Sequence, residues 1–250
     1  MNDKPHPALG ENTSRFWLLH GLVPLALFLL TALLFEISDL DLIISDHYYD
    51  FTMGRWFLKD AWWTEELIHK GGRKLILLIA VAALSVWVLS FWFRRLCRWR
   101  RAVLYLFLAI GIGTGLVAFG KATINRHCPW SYDRYGGSVP YVGLFEQNPP
   151  GCGRGNCFPA GHASGGFALM SSYFIFYGRN RRLAIGGLLV GLALGTLFGF
   201  AQVARGAHFF SHSIWTAAVC WFSGLALYTV VFRRRVLTEE RAAGSWQEPS

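Results

Sequence analysis

The chain has 250 residues, 53% of them hydrophobic, 16% aromatic and only 16% charged, with a formal net charge of +9. Soluble domains carry about 25% charged residues. The composition therefore excludes an ordinary water-soluble globule and predicts an integral membrane protein built as one compact domain. The basic excess reads as membrane topology and contact with anionic lipid, not as nucleic-acid binding.

In chain order, a polar lead (1–15) precedes six apolar segments at 16–37, 75–93, 102–120, 162–178, 183–202 and 212–232. Each approaches the ~20 residues that a helix needs to cross a bilayer. The expected fold is all-α: a six-transmembrane-helix bundle over 16–235, between an N-terminal tail (1–15) and a C-terminal tail (236–250). The first segment is too long for a signal-peptide core and lacks an Ala-x-Ala cleavage pattern, so it is read as a retained anchor. Residues 38–74 mix acidic and aromatic side chains, as expected of irregular structure plus an interfacial helix, with Trp62 and Trp63 at headgroup level.

Arginines 94, 95, 98, 100 and 101 separate segments two and three. Arg179, Arg181 and Arg182 separate four and five, and Arg233, Arg234 and Arg235 follow the sixth. By the positive-inside rule these loops and both tails are cytoplasmic. The whole excess of +9 then falls on that side. The fourth segment is the shortest and the richest in Gly and Ser.

Cys97 and Cys220 read as inert thiols. Cys128, Cys152 and Cys157 fall on the outer side, where a disulfide is permitted. The run GCGRGNC predicts a small loop closed by Cys152 and Cys157, with Cys128 unpaired. No outer histidine pair completes a zinc knuckle there.

Three stretches carry the chemistry: KATINRHCPW (121–130), FPAGHASGGF (158–167) and RGAHFFSH (205–212). The topology opens all three on one side. Lys121 ends the third segment. His162 follows Pro159-Ala160-Gly161 at a helix start, where free amides and the helix dipole favour an anion. His208 lies in the short turn between the last two segments, three residues after Arg205 and four before His212. Two histidines beside Lys and Arg suit phosphoryl transfer. One neutral imidazole attacks phosphorus in line, and a second, protonated one serves the leaving oxygen and later activates water. Cations and amides neutralise the non-bridging oxygens. No metal or other cofactor is called for.

These residues resemble the type 2 phosphatidic acid phosphatase superfamily, whose pattern is Lys-x6-Arg-Pro, Pro-Ser-Gly-His and Ser-Arg-x5-His-x3-Asp. Here the parts read Lys121…Cys128-Pro129, Pro159-Ala160-Gly161-His162 and Ala201-Gln202-x5-His208-x3-His212. The resemblance implies that His208 is the nucleophile, His162 the general acid and Lys121 a phosphate ligand. His212 stands where the family's carboxylate orients the nucleophile. Cys128, Gln202 and Ala160 replace two family arginines and a serine. Arg126 and Arg205 lie close by in sequence and are expected to supply the missing phosphate contacts, with Gly161 at the phosphate.

The expected function is a membrane phosphatase acting on a lipid phosphate or diphosphate at a bacterial inner membrane, with a periplasmic active site. A phosphotransferase would use the same residues. A metal-dependent hydrolase could use His208 and His212, spaced i, i+4, with His162. A lipid-phosphate transporter has little support, since only His20 and Glu36 interrupt the apolar runs. An inactive member is the remaining alternative.

Overall fold

The computed structural model describes residues 13–233. The predicted tails, apart from 13–15, lie outside the described residues, as do Arg234 and Arg235. Among the described residues, five helices are long and apolar enough to cross a membrane: α1 (Thr13–Ile37), α3 (Trp63–Leu89), α4 (Cys97–Thr123), α7 (Arg181–Ala204) and α8 (Phe210–Phe232). This is compatible with an integral membrane protein. Their outward faces carry exposed leucines, such as Leu27, Leu30 and Leu33 on α1 and Leu77 and Leu78 on α3. Such a surface is costly in water and neutral in lipid.

The predicted fourth segment becomes two shorter helices, α5 (Gly161–Ala168) and α6 (Ser172–Phe176), joined by a 3-10 turn at Leu169–Ser171. It packs at the centre, against α4, α7 and α8. Its small residues have a steric purpose: a Cβ at Gly166 would collide with the backbone of Leu194 and Gly195 on α7. Such close approach lets helices gain van der Waals contact where the surrounding lipid offers no hydrophobic drive. Ala163, Phe167, Ala168, Leu169 and Met170 are all buried here.

At one end of the bundle lies a second small core. Residues 38–74 begin with α2 (Leu40–Asp46) and a two-stranded hairpin, β1 (Tyr49–Asp50) and β2 (Arg55–Trp56), with Tyr49 opposite Trp56. Tyr49 and Trp56 pack with Tyr132, Tyr135 and Phe209. Asp46 accepts a bidentate pair from Arg134 and a hydrogen bond from the Tyr135 hydroxyl at 2.9 Å. Gly206 turns with φ +75° directly under the Trp56 ring, which leaves no room for a side chain.

Two boundaries differ from the sequence reading. The interfacial helix expected before residue 75 is continuous with the second span: α3 starts at Trp63, its first nine residues forming a π-helix (Trp63–Gly71). Trp62 and Trp63 are exposed at its start. The expected pairing of Cys152 with Cys157 is replaced by a Cys128–Cys157 disulfide, with Cα atoms 5.1 Å apart and Cys152 free. The reason is local: the 125–128 and 155–158 segments of the loop lie side by side. The Cys157 amide donates to the Arg126 carbonyl at 2.9 Å, and the Gly155 amide to Asn125 Oδ1 at 2.7 Å.

His20, the one histidine inside α1, is buried with both ring nitrogens engaged, Nδ1 at 3.0 Å from the Phe16 carbonyl and Nε2 at 2.7 Å from the Tyr173 hydroxyl. Its polarity is absorbed within the bundle.

Candidate active site

The end of the bundle that carries the hairpin also gathers the three motif stretches. α8 has no polar residue of its own at its N-cap, which is Phe209. Asp41 of α2 supplies the cap instead, its Oδ1 accepting the Ser211 N–H at 3.0 Å. Burial raises the Asp41 carboxyl to about 6, opposed by its hydrogen bonds to Ser211. The first turn of α8 is tied to the 158–161 turn through Thr216 Oγ1, 2.8 Å from the His212 carbonyl and 3.2 Å from that of Ala160. The 205–209 turn is tied to the loop that follows α4 by the Trp130 amide, which donates to Gly206 O at 3.1 Å. Distant parts of the chain are thereby held in one arrangement.

Lys121 lies in the last turn of α4, half-buried. A Cβ added at Gly161 would sit 3.2 Å from Lys121 Cδ and 3.6 Å from its Nζ. Glycine at this position brings the ammonium onto the first turn of α5, whose N-cap residue, Ala160, makes no side-chain cap bond. His162, the next residue, directs Nε2 at the Ile68 carbonyl, 3.2 Å away. A carbonyl can only accept, so Nε2 carries a hydrogen and Nδ1 is the nitrogen free to exchange a proton.

His208 and His212 are both buried, with their Nδ1 atoms 3.3 Å apart. One Nδ1 must donate and the other accept. Burial holds the His208 pKa well below the usual histidine range, His212 and Lys121 push it the same way, the Cys157 backbone opposes, and His162 adds a further push downward. These surroundings favour the neutral imidazole, the form that can attack an electrophile, and Lys121 and His162 both contribute to them.

A cleft of about 600 Å³ opens between α3 and α4. Lys121, Gly161 and His162 line it, together with His69 and Arg73 of α3. The rest of its wall is mainly apolar, including Ile76, Ala80 and Ile110. His208 is not among the lining residues.

The expected arginines stand elsewhere. Arg205 lies just past the end of α7, not on it. Its guanidinium pairs with Glu65, and its Nε donates to the Lys59 carbonyl at 3.2 Å. Arg126 donates to Asn148 Oδ1 and to the Glu146 carbonyl, and lines a separate small cavity with Asp41 and His212. Gln202, at the vacated family position, is buried.

Three residues escaped the sequence reading: Glu65, His69 and Arg73. The ring of His69 meets that of His162 edge-on, centroids 4.7 Å apart, and its Nδ1 lies 3.7 Å from Glu65 Oε1. A signal was present, since 65, 69 and 73 are spaced by four and share one helix face. It was hidden because the segment read as an interfacial helix outside the bundle. Among the described residues, no three His, Cys, Asp or Glu side chains are grouped as metal ligands.

A family model, that of the PAP2 superfamily, matches residues 102–236. The chain belongs to the PAP2 superfamily. This is the family whose motifs the sequence resembles. Its members are phosphatases, so membership supports phosphatase-type activity on phosphate esters. The matched region takes in Lys121, His162, His208 and His212, but not α1 to α3, and so leaves out Asp41, His69 and Arg73. Neither a curated protein nor a solved structure matches the chain.

Proposed function

We propose that this PAP2 superfamily member is a six-span membrane phosphatase that hydrolyses a lipid phosphate or diphosphate through a phosphohistidine on His208, without a metal. One observation carries the reading. A buried His208, in surroundings that favour its neutral ring, is paired with His212; Lys121 and His162, which both act on it, line a cleft that is polar at that end and apolar beyond. An amphiphile with an anionic head matches such a cleft.

The chemistry follows from the hydrogen bonds. For His208 Nε2 to attack, Nδ1 must hold the ring proton and donate it to His212 Nδ1. Nε2 then bonds to phosphorus in line as the bond to the leaving oxygen breaks. His162 Nδ1 gives that oxygen a proton. In the second step the same nitrogen takes a proton from water, whose oxygen attacks phosphorus, and the N–P bond breaks to release phosphate. Lys121 and the first amides of α5 neutralise the non-bridging oxygens. Arg205 would join them by exchanging its Glu65 contact for the phosphate, and Arg126 by leaving Asn148.

In this reading the 161–176 segment is the sixth crossing. Its 16 residues span ~24 Å as helix, short for a ~30 Å hydrocarbon core, but it lies inside the bundle and not against lipid. The basic residues Arg94, Arg95 and Arg98 lie at the opposite end from the site, which by the positive-inside rule faces it to the periplasm of a bacterial inner membrane.

The test is phosphate release by the detergent-purified protein from a panel of lipid phosphates and diphosphates. We expect activity that survives EDTA, is blocked by vanadate and is lost in His208→Ala. A labelled, acid-labile phosphoprotein should accumulate in His162→Ala with a good leaving group. Full turnover in His208→Ala would sink the proposal.

A further inference from the structure

Two fixed cations line the cleft, Lys121 and Arg73. Neither has a carboxylate partner among the described residues. The neighbouring cations are engaged: Lys70 pairs with Glu66 at 2.6 Å and Arg205 with Glu65. Among the described residues, no acidic side chain lines the cleft. One phosphoryl group beside Lys121 and the first amides of α5 already has its charge partly balanced. Arg73 is a further positive charge, and its position decides what it can meet.

α3 runs away from the site as its numbering rises. His69 lies level with His162, their rings in contact, and Arg73 lies one turn further along the same face, about 6 Å nearer the apolar part. The next residues on that face, Leu77 and Ala80, line the apolar wall. The order along the groove is therefore reacting centre, Arg73, apolar wall. The wall runs from Arg73 to Ala80 on α3 and from Ala118 to Phe107 on α4, roughly 10–17 Å at helical rise. Arg73 lines the same cleft as Lys121, His69 and His162, which places it beside the path that leads to the reacting head.

Resting on the phosphohistidine reading above, we propose that Arg73 is a specificity-determining residue that holds the lipid-proximal phosphate of a lipid diphosphate while the terminal phosphate reacts at His208. The N–P bond forms at the terminal phosphorus as its bond to the bridging oxygen breaks. The bridging oxygen, with the proton from His162, stays on the lipid, and water then releases inorganic phosphate. The product is a lipid monophosphate. Arg73 neutralises the charge that develops on this leaving phosphate, a contact that a monophosphate substrate does not make, since its leaving oxygen carries only carbon. His69 flanks the same space and positions His162 through the edge-on ring contact.

The experiment compares kcat/KM for a long-chain prenyl diphosphate and the matching prenyl monophosphate. It uses wild type, Arg73→Gln and Arg73→Lys, with His208→Ala as the blank. Arg73→Gln should lower the diphosphate-to-monophosphate ratio by about 10- to 100-fold, the range a charge-assisted hydrogen bond commands. Arg73→Lys should recover part of it. An equal loss on both substrates, or none on the diphosphate, overturns the assignment. Binding of a prenyl methylenediphosphonate and the matching monophosphonate to His208→Ala, with and without Arg73→Gln, separates this proposal from the catalytic one. A selective loss of diphosphonate affinity upholds Arg73 even if no phosphohistidine forms. Unchanged affinity for both refutes it even if the catalytic reading holds.

Discussion

His212 stands where the family pattern has a carboxylate, and this exchange yields the sharpest prediction. Its Nδ1 lies 3.3 Å from His208 Nδ1. In His212→Ala the His208 Nδ1–H loses its acceptor inside a buried site. An unsatisfied buried donor costs about 1–3 kcal/mol, and the ring proton is then free to move to Nε2, which silences the nucleophile. The expected loss in kcat is about 5- to 150-fold. KM should change little, because His212 does not line the cleft. His212→Asp should act in the opposite sense. Burial favours neutral His208 and sets its pKa well below the usual histidine range. An adjacent carboxylate favours the imidazolium and raises that pKa by about 1–3 units. Wild type should therefore keep kcat/KM to well below pH 6.5, whereas His212→Asp should lose it at higher pH. At pH 8 the aspartate should speed attack, since it stabilises the imidazolium formed in the transition state. Phosphate release between pH 4.5 and 9, with thermal unfolding in detergent to confirm that each variant is folded, reads all of this. A folded His212→Ala with wild-type kcat, or an acid limb that stays in place in His212→Asp, would refute the role given to the pair.

Further expectations concern stability and the displaced arginines. Asp41 has a folded pKa of about 6 against 3.8 for the free carboxyl; its favourable contribution is complete below ~3.8 and is lost as pH rises through 6. Asp41→Asn keeps an acceptor for Ser211 without the buried charge, so it should gain up to about 3 kcal/mol at pH 8 and nothing near pH 4; a gain that ignores pH contradicts this. Removing the Cys128–Cys157 bond, which spans 29 residues, should cost roughly 3–4 kcal/mol, while Cys152→Ser should leave the unfolding temperature as it was; non-reducing peptide mapping checks the pairing directly. Gly166→Val should destabilise by about 1–3 kcal/mol or more through overpacking against α7, whereas Gly186→Ala, whose added Cβ meets nothing within 4 Å, should not. Arg205→Lys should lower turnover; unchanged turnover assigns Arg205 to Glu65 alone.

Local periodicity carried much of the fold. Apolar runs of helical length specify helices whatever surrounds them, because every backbone hydrogen bond is made within the segment. The long helices are legible for that reason, as are the places of Lys121 at the end of α4, His162 at the start of α5 and His208 in the turn between α7 and α8. The 161–176 segment was harder to read: its Gly and Ser content looks like a weak span, and only the contact of Gly166 with α7 shows it to be the packed centre.

What the chain by itself determined was which segments are helical and which side chains sit at their ends. The tertiary structure alone decided which of those side chains meet. Cys157 pairs with Cys128 because two loop segments lie together, Asp41 caps α8 from a separate helix, Arg205 turns to Glu65, and the 65/69/73 face of α3 lands beside His162. These are contacts between residues tens to well over a hundred positions apart, and helical spacing relates only residues within a turn or two. Long-range pairing depends on how the helices dock, and that is set by the shapes of many side chains at once.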